Sequence, residues 1–351
     1  MSCVLLSQPV CQRGERGSRV HASTLVKPSD RRRSWLILSW LFLVSCGATL
    51  QAKQPKVLMI GIDGLRRDGF VAANTPHLDA LADRGTLCLD ARVTSDAVPQ
   101  SDTVSGPGWT TFLTGVWADR HGVTDNSFRG RNTETGPHGF ALAKLGQPEV
   151  RTSSYLCWTP LRDHVTTDAD IDVVVTPGES DSVSSAWKRA DQSLAWSAVP
   201  TLANDHSDWT FVYFGSVDET GHGHGFHPSV PEYLAAIENV DRLVGELMDA
   251  VHRRPTYDSE DWLVLVSTDH GGEGTGHGGG RENVNVYTVP MIVSGDAANP
   301  GTIVPREEGS APPATVDLVP LALHHLGISI DPAWKLAGSV DGWLKTTADA
   351  R

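Results

Sequence analysis

Residues 103–126 read T-V-S-G-P-G-W-T-T-F-L-T-G-V-W-A-D-R-H-G-V-T-D-N and combine a hydroxyl group, a tight bend and a helical run. Ser105 precedes a Gly-Pro-Gly bend, and the apolar, threonine-rich segment after it predicts a short helix that ends at Gly115. Gly106 and Gly108 would let backbone N–H groups approach a ligand closely. The positive end of the helix would face an anion beside Ser105. Alone, the pattern is more typical of an ordinary turn than of a nucleophile.

Short apolar runs alternate with helical patterns along the rest of the chain. Strands are predicted over residues 56–63, 150–157, 171–175, 209–217, 263–268 and 287–293. Helices are predicted over residues 105–115, 181–204, 229–254 and 315–326, with another opening at Thr75-Pro76, while 130–146 is predicted to be a loop. Strands that alternate with helices indicate an α/β fold with a mostly parallel central sheet and helices on both faces.

Individual residues mark the predicted helix ends. Gly85 and Gly327 would stop the helices before them, and Pro200 would break the end of the helix that begins at residue 181. Ser229 and Glu232 are spaced as a capping box, after which apolar residues recur along one helix face. That face is expected to be buried, and it consists of Tyr233, Ile237, Val240, Val244, Leu247 and Val251.

The composition separates a basic leading segment from an acidic body. The 351 residues have a formal net charge of −13 and are 40% hydrophobic, enough for a sizeable core in one large domain or two smaller ones. Residues 1–50 carry a net charge of +5, so the remainder carries −18. An acidic body argues against non-specific binding to nucleic acid. It remains compatible with an anionic substrate if metal ions lie in the site.

Residues 31–50 read R-R-R-S-W-L-I-L-S-W-L-F-L-V-S-C-G-A-T-L, the layout of a signal peptide, and the apolar run is too short for a comfortable membrane span. Leu43-Val44-Ser45-Cys46 resembles the bacterial lipobox, which predicts a lipid anchor on Cys46. Plain secretion or release into the periplasm after cleavage at Ala48 or Ala52 is the alternative. We therefore assign residues 1–52 to an N-terminal extension and signal peptide, and expect export. A start codon placed too far upstream would explain the length of the extension.

Two cysteines, Cys88 and Cys157, remain beyond that segment. In an oxidising compartment they could pair, and two buried free thiols are the alternative. Neither has the C-x-x-C spacing of a metal or redox site, so no metal is assigned to them.

Three of the predicted strands are followed by aspartate, and histidines lie close behind. In an open α/β sheet, ligands bind outside the carboxyl ends of the strands, so these side chains should gather at one edge beside Ser105. Carboxylates that close repel unless cations neutralise them, and mixed His/Asp ligation favours zinc, with manganese or iron possible. Two metals about 4 Å apart would hold the attacking and leaving oxygens of a displacement. The residues concerned are Asp63, Asp218, Asp269, His222, His270 and His277.

The chain resembles the alkaline phosphatase superfamily, in particular its type I phosphodiesterase/nucleotide pyrophosphatase branch. The matching segments are V-L-M-I-G-I-D-G, T-P-H-L-D-A-L-A-D-R-G-T, S-G-P-G-W-T-T-F-L-T-G-V-W-A-D-R-H-G-V, V-D-E-T-G-H and S-T-D-H-G-G, all within residues 56–330. The resemblance implies one alkaline phosphatase-like hydrolase domain over residues 53–351. No sizeable insertion separates the metal-binding segments, so we expect no large cap domain and an open site.

The resemblance also implies two divalent ions. Asp63, Asp269 and His270 would hold the first ion, with Ser105 bridging. Ser105 would attack phosphorus and form a phospho-enzyme, which water then hydrolyses.

The second ion would be held by Asp218, His222 and a later histidine. We assign this last ligand to His277. His224 and His227 are rivals for it because they lie near His222 in the sequence.

The chain departs from the family pattern around the nucleophile. The branch usually has Thr as nucleophile and an Asn three residues later, where this chain has Ser105 and Gly108. Backbone N–H groups or an unidentified side chain must then stabilise the developing charge, and the candidates are Gly106, Gly108 and Trp109. Trp109 also stands where the sulfatase pattern needs Arg, so formylglycine is not expected at residue 105.

These features predict an exported, metal-dependent hydrolase of small phosphoric esters, with phosphodiesters as the first choice. A phosphomonoesterase or a sulfatase-like hydrolase is the alternative. The Arg that clamps a monoester has no assignable counterpart, although Arg66, Arg120 and Arg281 are candidates. A metal-stabilised binding protein that has lost the chemistry is the remaining alternative. Loops at residues 128–146 and 176–185 are expected to govern substrate choice.

Overall fold

The computed structural model describes residues 52–179, 182–204, 206–301 and 311–345. The predicted signal peptide and Cys46 lie outside the described residues, so export and lipid anchoring stay predictions. Within the described residues, no helix combines the length and apolar character needed to cross a membrane. These described residues form one compact unit.

Within the described residues, seven strands form one mixed sheet, and the expectation of an α/β fold with a mostly parallel central sheet is confirmed. The strands are β1 (Gln54–Ile62), β2 (Gly85–Arg92), β3 (Thr152–Leu156), β4 (Ile171–Val174), β5 (Trp209–Phe214), β6 (Glu260–Ser267) and β7 (Thr288–Ser294). Their order is β2-β7-β6-β1-β5-β3-β4. β1 pairs in parallel with β5 and β6, and β3 with β4 and β5, whereas β7 runs antiparallel to β6 and β2. The carboxyl ends of β5, β1 and β6 therefore lie side by side.

Helices cover both faces of this sheet, and no large cap interrupts the described residues. The helices are α1 (Arg67–Ala72), α2 (Pro76–Asp83), α3 (Ser105–Thr114), α4 (Ala118–His121), α5 (Gly139–Gly146), α6 (Thr159–His164), α7 (Val183–Asn204), α8 (Ser216–His224), α9 (Pro231–His252), α10 (Val284–Tyr287) and α11 (Leu318–His325). α7, α8 and α9 pack against one another, and α3 and α5 pack against α11. The predicted apolar face of α9 is fully buried, which confirms that assignment.

Some of the element assignments made from sequence were wrong. Residues 85–92 form β2, which was not predicted, and the segment predicted as a loop contains α5. The strand predicted to reach Val217 ends at Phe214, and α8 begins at Ser216. A short buried apolar run can belong to a strand or to the first turn of a buried helix, so the sequence of residues 209–217 did not reveal the change.

Two predicted helix ends were also wrong. α7 continues through Pro200 to Asn204. Pro200 has no backbone N–H, so the carbonyl of Trp196, four residues earlier, lacks its helical hydrogen bond. Trp196 lies on an exposed side of the helix, where water can bond this carbonyl. α9 has no capping box, because Val230 is its N-cap and the Ser229 hydroxyl lies 2.7 Å from Nδ1 of His227. Gly115 and Gly327 follow α3 and α11 with positive φ, as predicted for helix stops.

Cys88 and Cys157 are both buried and form no disulfide with each other. The Cys157 thiol instead donates a hydrogen bond to Asp191 Oδ1 at 3.3 Å. Of the two alternatives, a disulfide or buried thiols, Cys157 is therefore a buried thiol.

Candidate active site

The three aspartates predicted to converge lie together at the carboxyl edge of the sheet. Asp63 directly follows β1 and Asp269 lies two residues beyond β6, whereas Asp218 lies in the first turn of α8, just after β5. All three are buried, with exposures of 2%, 1% and 7%. Adjacent parallel strands bring their carboxyl ends to one place, which explains the convergence of residues far apart in sequence.

Ser105 is the first residue of α3, and its Oγ lies 3.3 Å from Nε2 of His270. α3 approaches Asp269 closely because residue 108 is glycine. A Cβ at Gly108 would lie 2.7 Å from the Asp269 carbonyl oxygen. The Gly-Pro-Gly segment predicted as a bend is instead the first turn of α3, and Gly108 lets this turn pack closely against Asp269.

We call Asp63, Asp269 and His270 the inner cluster. Nε2 of His270 lies 3.2 Å from Asp269 Oδ2 and 3.6 Å from Asp63 Oδ1. Potential ligand atoms of the three residues all lie within 4.8 Å of one another. They coincide with the set that the resemblance assigned to the first metal.

We call Asp218, His222 and His277 the outer cluster. Asp218 and His222 are four residues apart on α8 and share one helix face, with Nε2 of His222 3.3 Å from Asp218 Oδ2. Nε2 of His277 lies 3.0 Å from Nε2 of His222 and 3.6 Å from Asp218 Oδ1. His270 lies between the clusters, because its ring stacks on that of His277 at 3.7 Å.

The rival histidines lie elsewhere. His224 lines a cavity together with Ser216 and Thr220. These three residues are spaced four apart on α8 and therefore share one helix face. Asp218 and His222 lie on a different face of the same helix. Nδ1 of His227 lies 2.7 Å from the Ser229 hydroxyl. The geometry therefore favours His277 over both.

All three cluster histidines are held in the same way by backbone carbonyls. A carbonyl can only accept, so each Nδ1 carries a proton, and in the neutral ring Nε2 keeps the lone pair that a metal ion would use. The three bonds, each 2.9 Å, run from His222 to Thr275, from His270 to Gly271 and from His277 to Thr103. This is the arrangement that metal-binding histidines use to fix the ring.

One carboxylate oxygen of each aspartate is buried and accepts no hydrogen bond from the described residues. These oxygens are Asp63 Oδ1, Asp218 Oδ1 and Asp269 Oδ2. A buried, unpaired anionic oxygen is costly. The other oxygen of Asp63 accepts two bonds, from the Tyr213 hydroxyl at 2.7 Å and the Trp109 indole at 3.0 Å. The donor set and the orphaned oxygens fit divalent cations.

The electrostatics of the carboxylates point the same way. Burial raises the pKa of Asp63 and raises that of Asp269 far above the usual range. Burial, together with the nearby charge of Asp63, raises the pKa of Asp218 to about 7. Burial therefore favours the protonated form of each of these carboxyls, and bound cations would compensate the charge of the ionised form.

The histidines titrate differently in the two clusters. Burial lowers the pKa of His270 and of His277 to about 3, so both rings are neutral at ordinary pH, the form that binds metals. The hydrogen bond to Asp218 raises the pKa of the more exposed His222 to about 9.

The three substrate-contact candidates have other partners. The Gly106 N–H donates to Asn126 Oδ1 at 2.6 Å, and the Gly108 N–H donates to the Val104 carbonyl at 3.1 Å. Trp109 is fully buried and its indole points at Asp63, so it orients a carboxylate and is not exposed to a substrate.

Asn126 is the functional candidate that sequence reasoning missed. It is exposed, lies beside Ser105 through its bond to Gly106, and its Nδ2 donates to none of the described residues. This amide can therefore donate to an oxyanion near Ser105. Asn126 ends the stretch quoted above, but only the fold brings it back to the start of α3. Tyr213, which fixes Asp63, was likewise predicted only as part of a strand.

The three arginines considered as monoester clamps bond to their own chain. The guanidinium of Arg66 donates to the Phe226 and Gly272 carbonyls and pairs with Asp68 and Glu273. The guanidinium of Arg120 donates to the Thr135 carbonyl. That of Arg281 donates to the carbonyls of Ser95 and Ser101.

Comparisons with known proteins identify the family of this chain. The family model "Type I phosphodiesterase / nucleotide pyrophosphatase" matches residues 57–284. Ectonucleotide pyrophosphatase/phosphodiesterase family member 7 of Homo sapiens is 28% identical over 254 residues, 67% of this chain and 52% of that protein. The chain thus spans about half the length of this curated relative.

Solved structures share the fold. A 2-O GAG sulfatase superposes with a TM-score of 0.64 at 16% identity, covering 82% of this chain and 73% of that one. Murine ectonucleotide pyrophosphatase/phosphodiesterase 5, inactive and in complex with AMP, superposes with a TM-score of 0.52 at 16% identity, covering 83% and 100%. The family match covers more than half of the chain, so this protein belongs to the type I phosphodiesterase/nucleotide pyrophosphatase family of the alkaline phosphatase superfamily.

Proposed function

We propose that this protein is a metal-dependent hydrolase of phosphoric esters that acts through a phosphorylated Ser105. The supporting observation is the position of the Ser105 hydroxyl, 3.3 Å from Nε2 of His270, next to buried carboxylates whose orphaned oxygens need cations. Family membership supports the same chemistry.

The residues present fit two divalent ions. Asp63, Asp269 and His270, with the Ser105 hydroxyl, would hold one, and Asp218, His222 and His277 would hold the other. Mixed carboxylate and imidazole donors favour zinc, with manganese as the second choice. When bound, the ions would lower the pKa of the hydroxyl, neutralise the phosphoryl oxygens and activate a water.

The protein's own residues supply orientation and charge stabilisation. The Ser105 hydroxyl gives up its proton to solvent as its oxygen attacks phosphorus, the bond from phosphorus to the leaving oxygen breaks, and the leaving oxygen takes up a proton from solvent. Water then cleaves the bond from phosphorus to the serine oxygen and restores the hydroxyl. The Asn126 amide donates to a phosphoryl oxygen as negative charge develops there.

Diesters are the preferred substrate class. A monoester carries one more negative charge than a diester, and its recognition uses a cationic clamp. The guanidinium groups of Arg66, Arg120 and Arg281 are engaged by carbonyls and carboxylates of their own chain. Since the matched relative is named a nucleotide pyrophosphatase/phosphodiesterase, small nucleotide-type phosphoesters are the first compounds to assay. Monoesters and sulfate esters provide the comparison panel.

Replacing the proposed nucleophile tests this function. Ser105→Ala should reduce turnover of bis-p-nitrophenyl phosphate by about 1,000-fold or more, because no oxygen remains to attack, while zinc content stays near two per chain. Ser197→Ala, at an exposed position on α7, is the matched control and should be unaffected. Unchanged turnover in Ser105→Ala would rule out this nucleophile.

We also propose that the protein is exported and anchored through a lipid on Cys46, with secretion or periplasmic release as the alternative. The support is the Leu43-Val44-Ser45-Cys46 pattern after a basic and apolar segment. Cys46→Ser should move the protein from the membrane fraction to the soluble fraction. A variant that stays in the membrane fraction would contradict the anchor.

A further inference from the structure

Asp191 is a buried carboxylate outside the two clusters. It lies on α7 and is 0% exposed. Burying a carboxylate costs several kcal/mol unless hydrogen bonds compensate it. Its partners therefore indicate what the residue does.

Its carboxylate accepts three hydrogen bonds, two of them from the backbone at the start of α8. Oδ1 accepts from the Gly215 N–H and Oδ2 from the Ser216 N–H, each at 3.0 Å. The Cys157 thiol, just beyond β3, donates to Oδ1 at 3.3 Å. One side chain thus joins α7, the end of β3 and the junction of β5 and α8.

α8 needs such a partner. Its N-cap is Gly215, which has no side chain to cap the helix, and no cap bond from that residue exists. A carboxylate also interacts favourably with the positive end of the helix. Burial raises the pKa of Asp191 to about 6, so the group is ionised at pH 7 and above.

The junction has little room to move. A Cβ at Gly215 would collide with the ring of Trp187, which lies one turn before Asp191 on α7. Asp218 and His222, the two outer-cluster residues on α8, are three and seven residues beyond Gly215. The position of the start of α8 therefore determines where both side chains lie.

We propose that Asp191 is a positioning residue for the outer metal: by capping α8 it holds Asp218 and His222 in place for binding. This inference rests on the proposed two-metal function. It extends that function to a residue on another helix that contacts neither cluster. Substituting a residue that orients a metal ligand typically lowers the metal affinity about 10-fold to 100-fold.

Asp241 offers a matched control. It is also a buried aspartate, 2% exposed, and it caps α2 by accepting from the Leu78 N–H at 2.8 Å and the His77 N–H at 3.1 Å. α2 carries no residue of either cluster. Asp241→Asn therefore removes a comparable cap without touching the site.

The test is a zinc titration of the full chain against a competing chelator. His277→Ala first identifies which of the two dissociation constants belongs to the outer ion. Asp191→Asn should raise that constant about 10-fold to 100-fold and leave the inner one within about twofold. Asp241→Asn should lower the melting temperature comparably and change neither constant. Equal zinc constants in the two variants would overturn the inference.

Two further results keep the conclusions separate. If the wild-type chain binds no zinc, the proposed two-metal function fails, independently of Asp191. Cys157→Ala is the milder variant should Asp191→Asn not fold. It removes a single donor to Asp191 and should weaken the outer ion about threefold, the value of a weak hydrogen bond. An outer constant that is unchanged in Cys157→Ala would overturn the inference in that case.

Discussion

The inner and outer clusters contain similar donors but differ in how the fold holds them. The inner side chains, Asp63, Asp269 and His270, are 3%, 0% and 0% exposed and directly follow central strands. In the outer cluster His222 is 41% exposed, and the ligands lie on α8 and on a glycine-rich loop. The inner ion should therefore be bound more tightly and exchange more slowly than the outer one. The outer ion depends on supports such as Asp191.

Among substitutions of the metal ligands in the two clusters, Asp269→Asn should have the largest effect because it acts on the buried cluster. It removes a charge that compensates the inner ion and leaves an amide in a site built for an anion. We expect turnover about 100-fold to 1,000-fold lower, with a lower metal content and a lower melting temperature. Metal analysis and calorimetry measure these changes, and a normal metal count would refute the assignment of Asp269.

His277→Ala should have a smaller and more selective effect. It should lose the outer ion alone, with metal content falling from two to one per chain, turnover about 100-fold lower and little change in melting temperature. His224→Ala, on the other side of α8, is the control and should behave as wild type. If His224→Ala lost metal and His277→Ala kept a normal metal content, His224 would replace His277 as the third ligand of the outer ion.

The smallest expected effect is the dependence of the protein's stability on pH. The pKa of Asp218 is raised to about 7 from the usual 3.8, and that of His222 to about 9. Protonated Asp218 thus stabilises chelator-treated protein below about pH 4, and this contribution is lost as the pH rises to about 7. Protonated His222 likewise stabilises the chelator-treated protein, and this contribution is lost as the pH rises to about 9.

Zinc binding has the opposite dependence, since it requires the deprotonated groups. The rise in melting temperature on adding zinc should be about 5 °C greater at pH 8 than at pH 5.5. Calorimetry with and without chelator measures both trends. A zinc effect independent of pH would contradict the outer ligand set.

The sequence predicted the inner cluster better than the outer one, for a physical reason. Asp63 and Asp269 follow strands whose apolar runs end clearly, so the sheet rule located them. Asp218 was assigned to a strand end but lies in a helix, because the run through Val217 hides the change of structure. Its convergence was still predicted, since α8 begins immediately after β5.

The remaining features depend on contacts between distant segments. The bond from Gly106 to Asn126 and the capping of α8 by Asp191 join residues that no local pattern links. The same is true of the bonds from His222 and His277 to their carbonyl partners. Trp109 was considered for substrate contact because of its place in the sequence. Its burial against Asp63 became visible only with the fold.

The most direct test of the two-cluster account is a crystal structure of the zinc-loaded protein with anomalous diffraction at the zinc edge. We expect two anomalous peaks, one contacting Asp63, Asp269, His270 and Ser105, and the other contacting Asp218, His222 and His277. A single peak, or peaks away from these residues, would contradict the account.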